Sequence, residues 1–202
     1  IASGGRLGAR AFAVAAIAPA ASIVLLATEA SDIVDGTPVL ASLTWIEQLS
    51  LAFELRLDSM ALIMASIVVG VGVLVCVYAV GYFSHPGPGI GRLAGLLTLF
   101  AGAMLGIAFS DHLLSLFVFW ELTSVTSYLL IGNDDELPQA RDGALKAILI
   151  TGFGGLVLLA GLVLIGQAAG TYRVSELLVD PPTGTVVTTA LALVLVGAFT
   201  KS

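Results

Sequence analysis

The chain has 202 residues, of which 58% are hydrophobic and only 11% charged. Soluble domains carry about 25% charged residues, so this composition excludes an ordinary soluble domain and points to the membrane. The net charge of −6 says little about partners, because the charges cluster between apolar runs, and no basic patch suggests nucleic acid.

The chain begins at Ile1 and ends at Ser202 within an apolar run, and is expected to be an internal piece of a larger membrane protein. A helix needs roughly 20 apolar residues to cross the hydrocarbon. Six segments approach that length: about Ala11–Thr28, Met60–Phe83, Leu93–Ser110, His112–Ile131, Ala144–Ala169 and Thr185–Ser202. None shows the strict alternation of a barrel strand, and only helices otherwise satisfy the backbone in lipid. The expected fold is therefore an all-α integral membrane protein, a single polytopic domain over 1–202 with about six transmembrane helices.

The first connection, Glu29–Asp58, holds six of the 14 acids and is expected outside the membrane. Within it, Ala41–Leu57 alternates around Leu49, Leu51, Phe53, Leu55 and Leu57, which predicts a small extramembrane β-hairpin. Cys76, the single cysteine, lies in an apolar run and is read as a core or lipid-facing residue; no disulfide framework or cysteine metal cluster can form within the chain. His85-Pro86-Gly87-Pro88-Gly89 is a turn cluster, and Gly91–Gly95 and Gly102–Gly106 fit the small-xxx-small pattern of close helix contact. Asn133–Pro138 is a polar loop, Gly152, Gly154, Gly155 and Gly161 thin the fifth span, and Asp180-Pro181-Pro182 breaks the chain before the last. Counting spans from the first puts Arg6, Arg10, Arg92, Arg141 and Lys146 on one side and Arg56 and Arg173 on the other. The positive-inside rule then places the first residue in the cytoplasm.

Glu121 stands in the middle of the fourth span, where an ionised carboxylate costs about 2.5–3.5 kcal/mol on insertion scales. Ser124 and Tyr128 share its helix face at i+3 and i+7, and Thr123, Thr126 and Ser127 add hydroxyls able to bond a carboxylate, a water or the helix backbone. An intramembrane acid is by default a proton or ion site, the plainer alternative being a neutral acid that glues two helices. Lys201 at the end of the last span would be a buried amine whose proton affinity follows an approaching carboxylate; a snorkelling lysine is the alternative. Lys146 opens the fifth span with Asp142 at i−4, an ion-pair spacing, or serves as a positive anchor. Asp111-His112 lies at the boundary of the third and fourth spans, where His112 is a candidate for proton access. There is no GxxxxGK[ST] loop, HExxH or GxSxG, and His85 and His112 are not placed as a haem or zinc pair, so no cofactor or metal is expected.

Residues 111–132, DHLLSLFVFWELTSVTSYLLIG, resemble the glutamate-bearing helix of the antiporter-like subunits shared by respiratory complex I and Mrp-type sodium/proton antiporters. The form FWELTS is more similar to the A-type subunit of the Mrp antiporter than to the WEG-type variant of complex I. Gly143–Gly161 and Gly197–Ser202 (GAFTKS) agree in order and spacing, and RLDSMAL agrees at the second span. The resemblance implies that Glu121 and Lys201 form an ion pair whose separation tunes proton transfer, with Lys201 on a broken helix, and that Lys146 joins the polar axis. His112 departs from an asparagine usual in the family. It further implies a multi-pass cell-membrane subunit of a hetero-oligomeric complex that exchanges Na+ for H+. In that reading the chain is part of a secondary transporter and not an enzyme. Two other readings stand beside it: a proton-pumping complex I subunit, and a membrane scaffold whose charges only lock helices together.

Overall fold

The computed structural model describes residues 8, 10–46, 51–83, 89–134 and 136–201. Arg6, Leu49, the turn cluster at 85–88 and Ser202 lie outside them. In chain order the described elements are α1 (Arg10–Ala15), α2 (Ile17–Val34), β1 (Val39–Ile46), β2 (Leu51–Leu57), α3 (Ser59–Tyr82), α4 (Ile90–Phe109), α5 (Leu113–Ile131), α6 (Pro138–Ala169), α7 (Val174–Val179) and α8 (Thr185–Phe199).

Five helical stretches among the described residues are long and apolar enough to cross a membrane, with α1 and α2 counting as one stretch of 25 residues. The two are divided at Ala16 because Pro19 has no N–H to offer Ala15 and its ring crowds that carbonyl. Helix α2 runs on to Val34, so Glu29 and Asp32 are helical rather than part of a loop. The side chain of Asp58 caps α3 by accepting the Ala61 N–H at 3.0 Å. Helix α6 starts with Pro138 in its first turn, stops at Gly170 with φ of 72°, and at 32 residues outlasts the hydrocarbon. The sixth apolar segment gives α8, 15 residues long among the described residues. Leu74, Tyr78, Phe153 and Leu156 are all exposed, an apolar outer surface suited to lipid.

The hairpin is present. β1 and β2 pair antiparallel, Val39 opposite Leu57 and Leu43 opposite Phe53, with an irregularity between Thr44 and Ile46. It is tied to the helices at one end of the bundle. Asp111 N–H donates to the Glu54 carbonyl at 2.8 Å, Val174 N–H to the Asp111 carbonyl at 2.8 Å, and Leu113 N–H to the Tyr172 carbonyl at 2.9 Å. The Asp111 carboxylate accepts Ser175 N–H at 2.8 Å and Ser175 Oγ–H at 2.6 Å, and Arg173 Nε donates to Glu54 Oε2 at 2.8 Å. The α4–α5 corner is thereby fixed between the hairpin and the segment that follows α6.

Helix α6 packs between α5 and α8. Small residues set how close they come: a Cβ at Gly161 would lie 2.7 Å from the Ala190 carbonyl, and one at Gly197 would lie 2.6 Å from the Gly154 carbonyl. On α4, Gly106 gives room to the Phe119 ring of α5, whereas Gly102 faces open space. A separate apolar cluster of Leu113, Leu158 and Leu162, joined by Trp120 and Val194, binds α5, α6 and α8.

Candidate functional site

Glu121 is the ninth residue of α5, about 12 Å along the axis from the helix start and so near mid-depth. It turns toward α6, where Gly155 has no side chain: a Cβ there would collide with Glu121 Oε1. That oxygen is buried without a hydrogen-bond partner. Gly154, one residue earlier, leaves the same kind of space for Thr200. The Gly154-Gly155 step thus admits the acid of α5 on one side and the end of α8 on the other.

Lys201 follows α8 and reaches across to α5. Its Nζ donates to the Trp120 carbonyl at 2.6 Å, to Ser124 Oγ at 2.9 Å and to Thr123 Oγ1. It also lies 4.6 Å from the centroid of the Trp120 ring, a cation–π distance. Three N–H donors meet three acceptors within one helical turn, the arrangement an ammonium requires. Thr123 and Ser124 are 1% and 2% exposed. Glu121 and Lys201 act on one another electrostatically, yet they make no ion-pair contact within 4.0 Å. The site therefore holds a carboxylate with unmet acceptor capacity beside an ammonium from another helix whose donors are all met by protein. Chemically, a carboxylate can accept a proton and an ammonium can donate one, and here the two are carried by different parts of the chain.

The other candidates lie elsewhere. Lys146 is exposed on α6. It precedes Gly155 by nine residues, about 13–14 Å along the axis and half a turn round, so it meets neither Glu121 nor Lys201. His112 is 7% exposed, stacks on Tyr172 with centroids 5.8 Å apart, and caps α5 by accepting Leu114 N–H on Nδ1 at 3.2 Å. Burial lowers its pKa below the ordinary histidine value, with Glu54 and Asp111 opposing the shift and Arg173 adding to it. It is nine residues from Glu121, about 13–14 Å along α5. An open cavity of about 860 Å³ beside this corner is lined by Arg56, Asp58, Ser110, Asp111, Ser175 and Glu176 and reaches neither Glu121 nor Lys201. Among the described residues no three His, Cys, Asp or Glu side chains are grouped to hold a metal.

Sequence reasoning did not find Trp120 or the paired contacts of Gly154 and Gly155. The glycine pair was visible as thinning of the span; the Trp120 carbonyl left no signal, since every residue carries one.

Residues 110–202 match the family model described as NADH:quinone oxidoreductase/Mrp antiporter, TM. Residues 43–92 match the one described as NADH-Ubiquinone oxidoreductase (complex I), chain 5 N-terminus. The probable A/B subunit of a K(+)/H(+) antiporter from Rhizobium meliloti is 42% identical over 78% of this chain and 16% of its own length. The A1 subunit of a Na(+)/H(+) antiporter from Staphylococcus haemolyticus is 38% identical over 83% of this chain and 21% of its own. The chain thus spans about a fifth of the curated relatives it matches. Among solved structures, the Mrp complex from Dietzia sp. DQ12-45-1b superposes with a TM-score of 0.77 at 33% identity, over 95% of this chain and 23% of that one. An archaeal membrane-bound sulfane sulfur reductase shares the fold, with a TM-score of 0.76 at 22% identity over 92% of this chain and 38% of that one.

Proposed function

The chain belongs to the antiporter-like membrane subunit family shared by Mrp antiporters and complex I, and from that premise we propose that it is part of the proton-translocating subunit of a multisubunit Na+/H+ antiporter. The observation that carries the proposal is the site itself. A carboxylate with a buried, unpartnered oxygen sits at mid-depth beside an ammonium supplied by a different helix. Two ionisable groups in hydrocarbon are costly, and a role in moving charge accounts for them where packing alone does not.

In this reading Glu121 takes up a proton and Lys201 gives one up, the affinity of each set by its distance from the other. At an effective dielectric of about 20, a separation of about 8 Å is worth about 2 kcal/mol, or ~1.5 pKa units. Closing the pair favours both charged forms; opening it favours proton release from the lysine and uptake by the acid. Lys146 is a more distant member of the polar axis, and His112 lies on the access side. The subunit works in the cell membrane with companion subunits, with Arg10, Arg92, Arg141 and Lys146 facing the cytoplasm and the hairpin outside.

A second reading, a proton-pumping complex I subunit, is favoured by the match of residues 43–92. The test uses the full-length parent with its companion subunits in an antiporter-deficient bacterium. Everted vesicles are energised and a pH-gradient dye followed on addition of sodium or potassium chloride. Collapse of the gradient by sodium supports the antiporter; collapse by potassium alone reassigns the cation. No response to either in assembled vesicles overturns the proposal and sends the question to NADH-driven pumping.

A further inference from the structure

Lys201 does not reach for the acid beside it. Its three N–H donors are taken by the Trp120 carbonyl, Thr123 Oγ1 and Ser124 Oγ, all on the helix that carries Glu121. The hydroxyls are set up to accept. Thr123 Oγ1–H donates to the Trp120 carbonyl at 2.7 Å and Ser124 Oγ–H to the same carbonyl at 3.4 Å, which leaves their lone pairs for the ammonium.

Hydroxyls bonded back to their own helix are common in this chain. Ser66, Thr98, Thr126 and Thr151 each donate to a carbonyl of the preceding turn. For those residues the bond satisfies the hydroxyl and nothing more follows. Thr123 and Ser124 differ because they also accept from a side chain 78 and 77 residues away.

We propose that Thr123 and Ser124, together with the Trp120 carbonyl, are a holding site that keeps the Lys201 ammonium off the Glu121 carboxylate, so that the pair rests open. The inference rests on the reading that Glu121 and Lys201 carry protons. Thr123 and Ser124 are positioning residues in it: they compete with the carboxylate for the same ammonium. Because the competing acceptors are neutral, the lysine can leave them without breaking an ion pair. Among the described residues Glu121 is the charged group that acts on Lys201, and where α6 meets α8 and the Thr200 that follows it, the contacts are made by the uncharged Gly154, Leu158, Gly197 and Thr200. Weakening the holding site therefore sends the lysine toward Glu121, the charge that acts on it among the described residues.

The test is made in the full-length complex with Thr123→Val, which keeps the shape and removes the hydroxyl, with Ser124→Ala, and with Thr123→Ser. In the closed pair Lys201 holds its proton more firmly. Thr123→Val and Ser124→Ala are expected to move the pH profile of cation-driven exchange upward by at least about half a unit, and to lower the maximal rate severalfold. Thr123→Ser is expected to restore the wild-type profile. An unchanged profile, a downward shift, or failure of Thr123→Ser to restore it overturns the proposal. A structure of the assembled Thr123→Val complex gives a readout independent of transport. Lys201 Nζ within about 4 Å of the Glu121 carboxylate, ion-pair range, supports the holding site; Nζ still on the Trp120 carbonyl and Ser124 refutes it. Loss of exchange in Glu121→Gln bears on the proton-carrying reading alone, so the two can fail separately.

Discussion

Gly155→Ala adds one methyl group where the fold has left no space for it. An added Cβ would lie 2.8 Å from Glu121 Cδ and closer still to Oε1. Carbon atoms in contact sit about 3.5–4.0 Å apart, so the carboxyl must move by about 1 Å. The backbone raises no objection: Gly155 lies inside α6 with no positive φ, and alanine there gains about 0.5–1 kcal/mol of helix preference. Overpacking costs about 1–3 kcal/mol, so the net change in stability is small or modestly unfavourable. Proton transfer depends far more steeply on position, and a displacement of about 1 Å costs on the order of 10²-fold in rate. Gly152→Ala is the control, since a Cβ there meets nothing within 4 Å. The assay is the initial rate of sodium-triggered gradient collapse per assembled complex in everted vesicles. Gly155→Ala is expected to lose most of its exchange while Gly152→Ala keeps the wild-type rate. Equal rates in the two variants at equal assembly would refute the reasoning.

Two further predictions concern the corner where the hairpin meets α5. Burial lowers the folded pKa of His112 below the ordinary value of about 6.5, and its Nδ1 caps α5 by accepting the Leu114 N–H. Protonation then favours the unfolded chain: stability is full above pH ~6.5 and falls as pH drops from there toward the lower folded value. His112→Asn keeps a capping oxygen without a titrating group and should flatten that fall in the apparent melting temperature of the purified complex between about pH 8 and 5; a fall as steep as wild type would contradict the assignment. Asp111→Ala removes the acceptor of both Ser175 bonds and should cost about 1–3 kcal/mol, read as a lower melting temperature and faster proteolysis near α7, with melting and cleavage like wild type as the contrary result.

Glu121 and Lys201 stood out in the sequence as candidates because hydrocarbon makes an ionised group expensive and therefore conspicuous. The hairpin was legible from its alternation, although its first strand begins at Val39, before the alternation is evident. Helix ends were harder to place. Hydropathy ends the first span at the first acid, but α2 continues to Val34 because acids are tolerated on a helix that is leaving the membrane. The short α7 was not foreseen: its stabilising group is Asp111, 64 residues away from Ser175. Thr123 and Ser124 stood out as hydroxyls in an apolar helix. Whether they serve the acid on their own helix or the lysine on another is a question of tertiary approach, which spacing along one helix does not contain.

The central claim is that Glu121 works as an ionisable group, and the most direct measurement compares wild type with Glu121→Gln in sodium-triggered dye assays on assembled everted vesicles. Glutamine fills the same volume beside Gly155 but neither takes up nor releases a proton. The account predicts that exchange in Glu121→Gln falls at least about 10²-fold while the complex assembles normally. Exchange at the wild-type rate would show that the carboxylate is a structural wedge and would contradict the account.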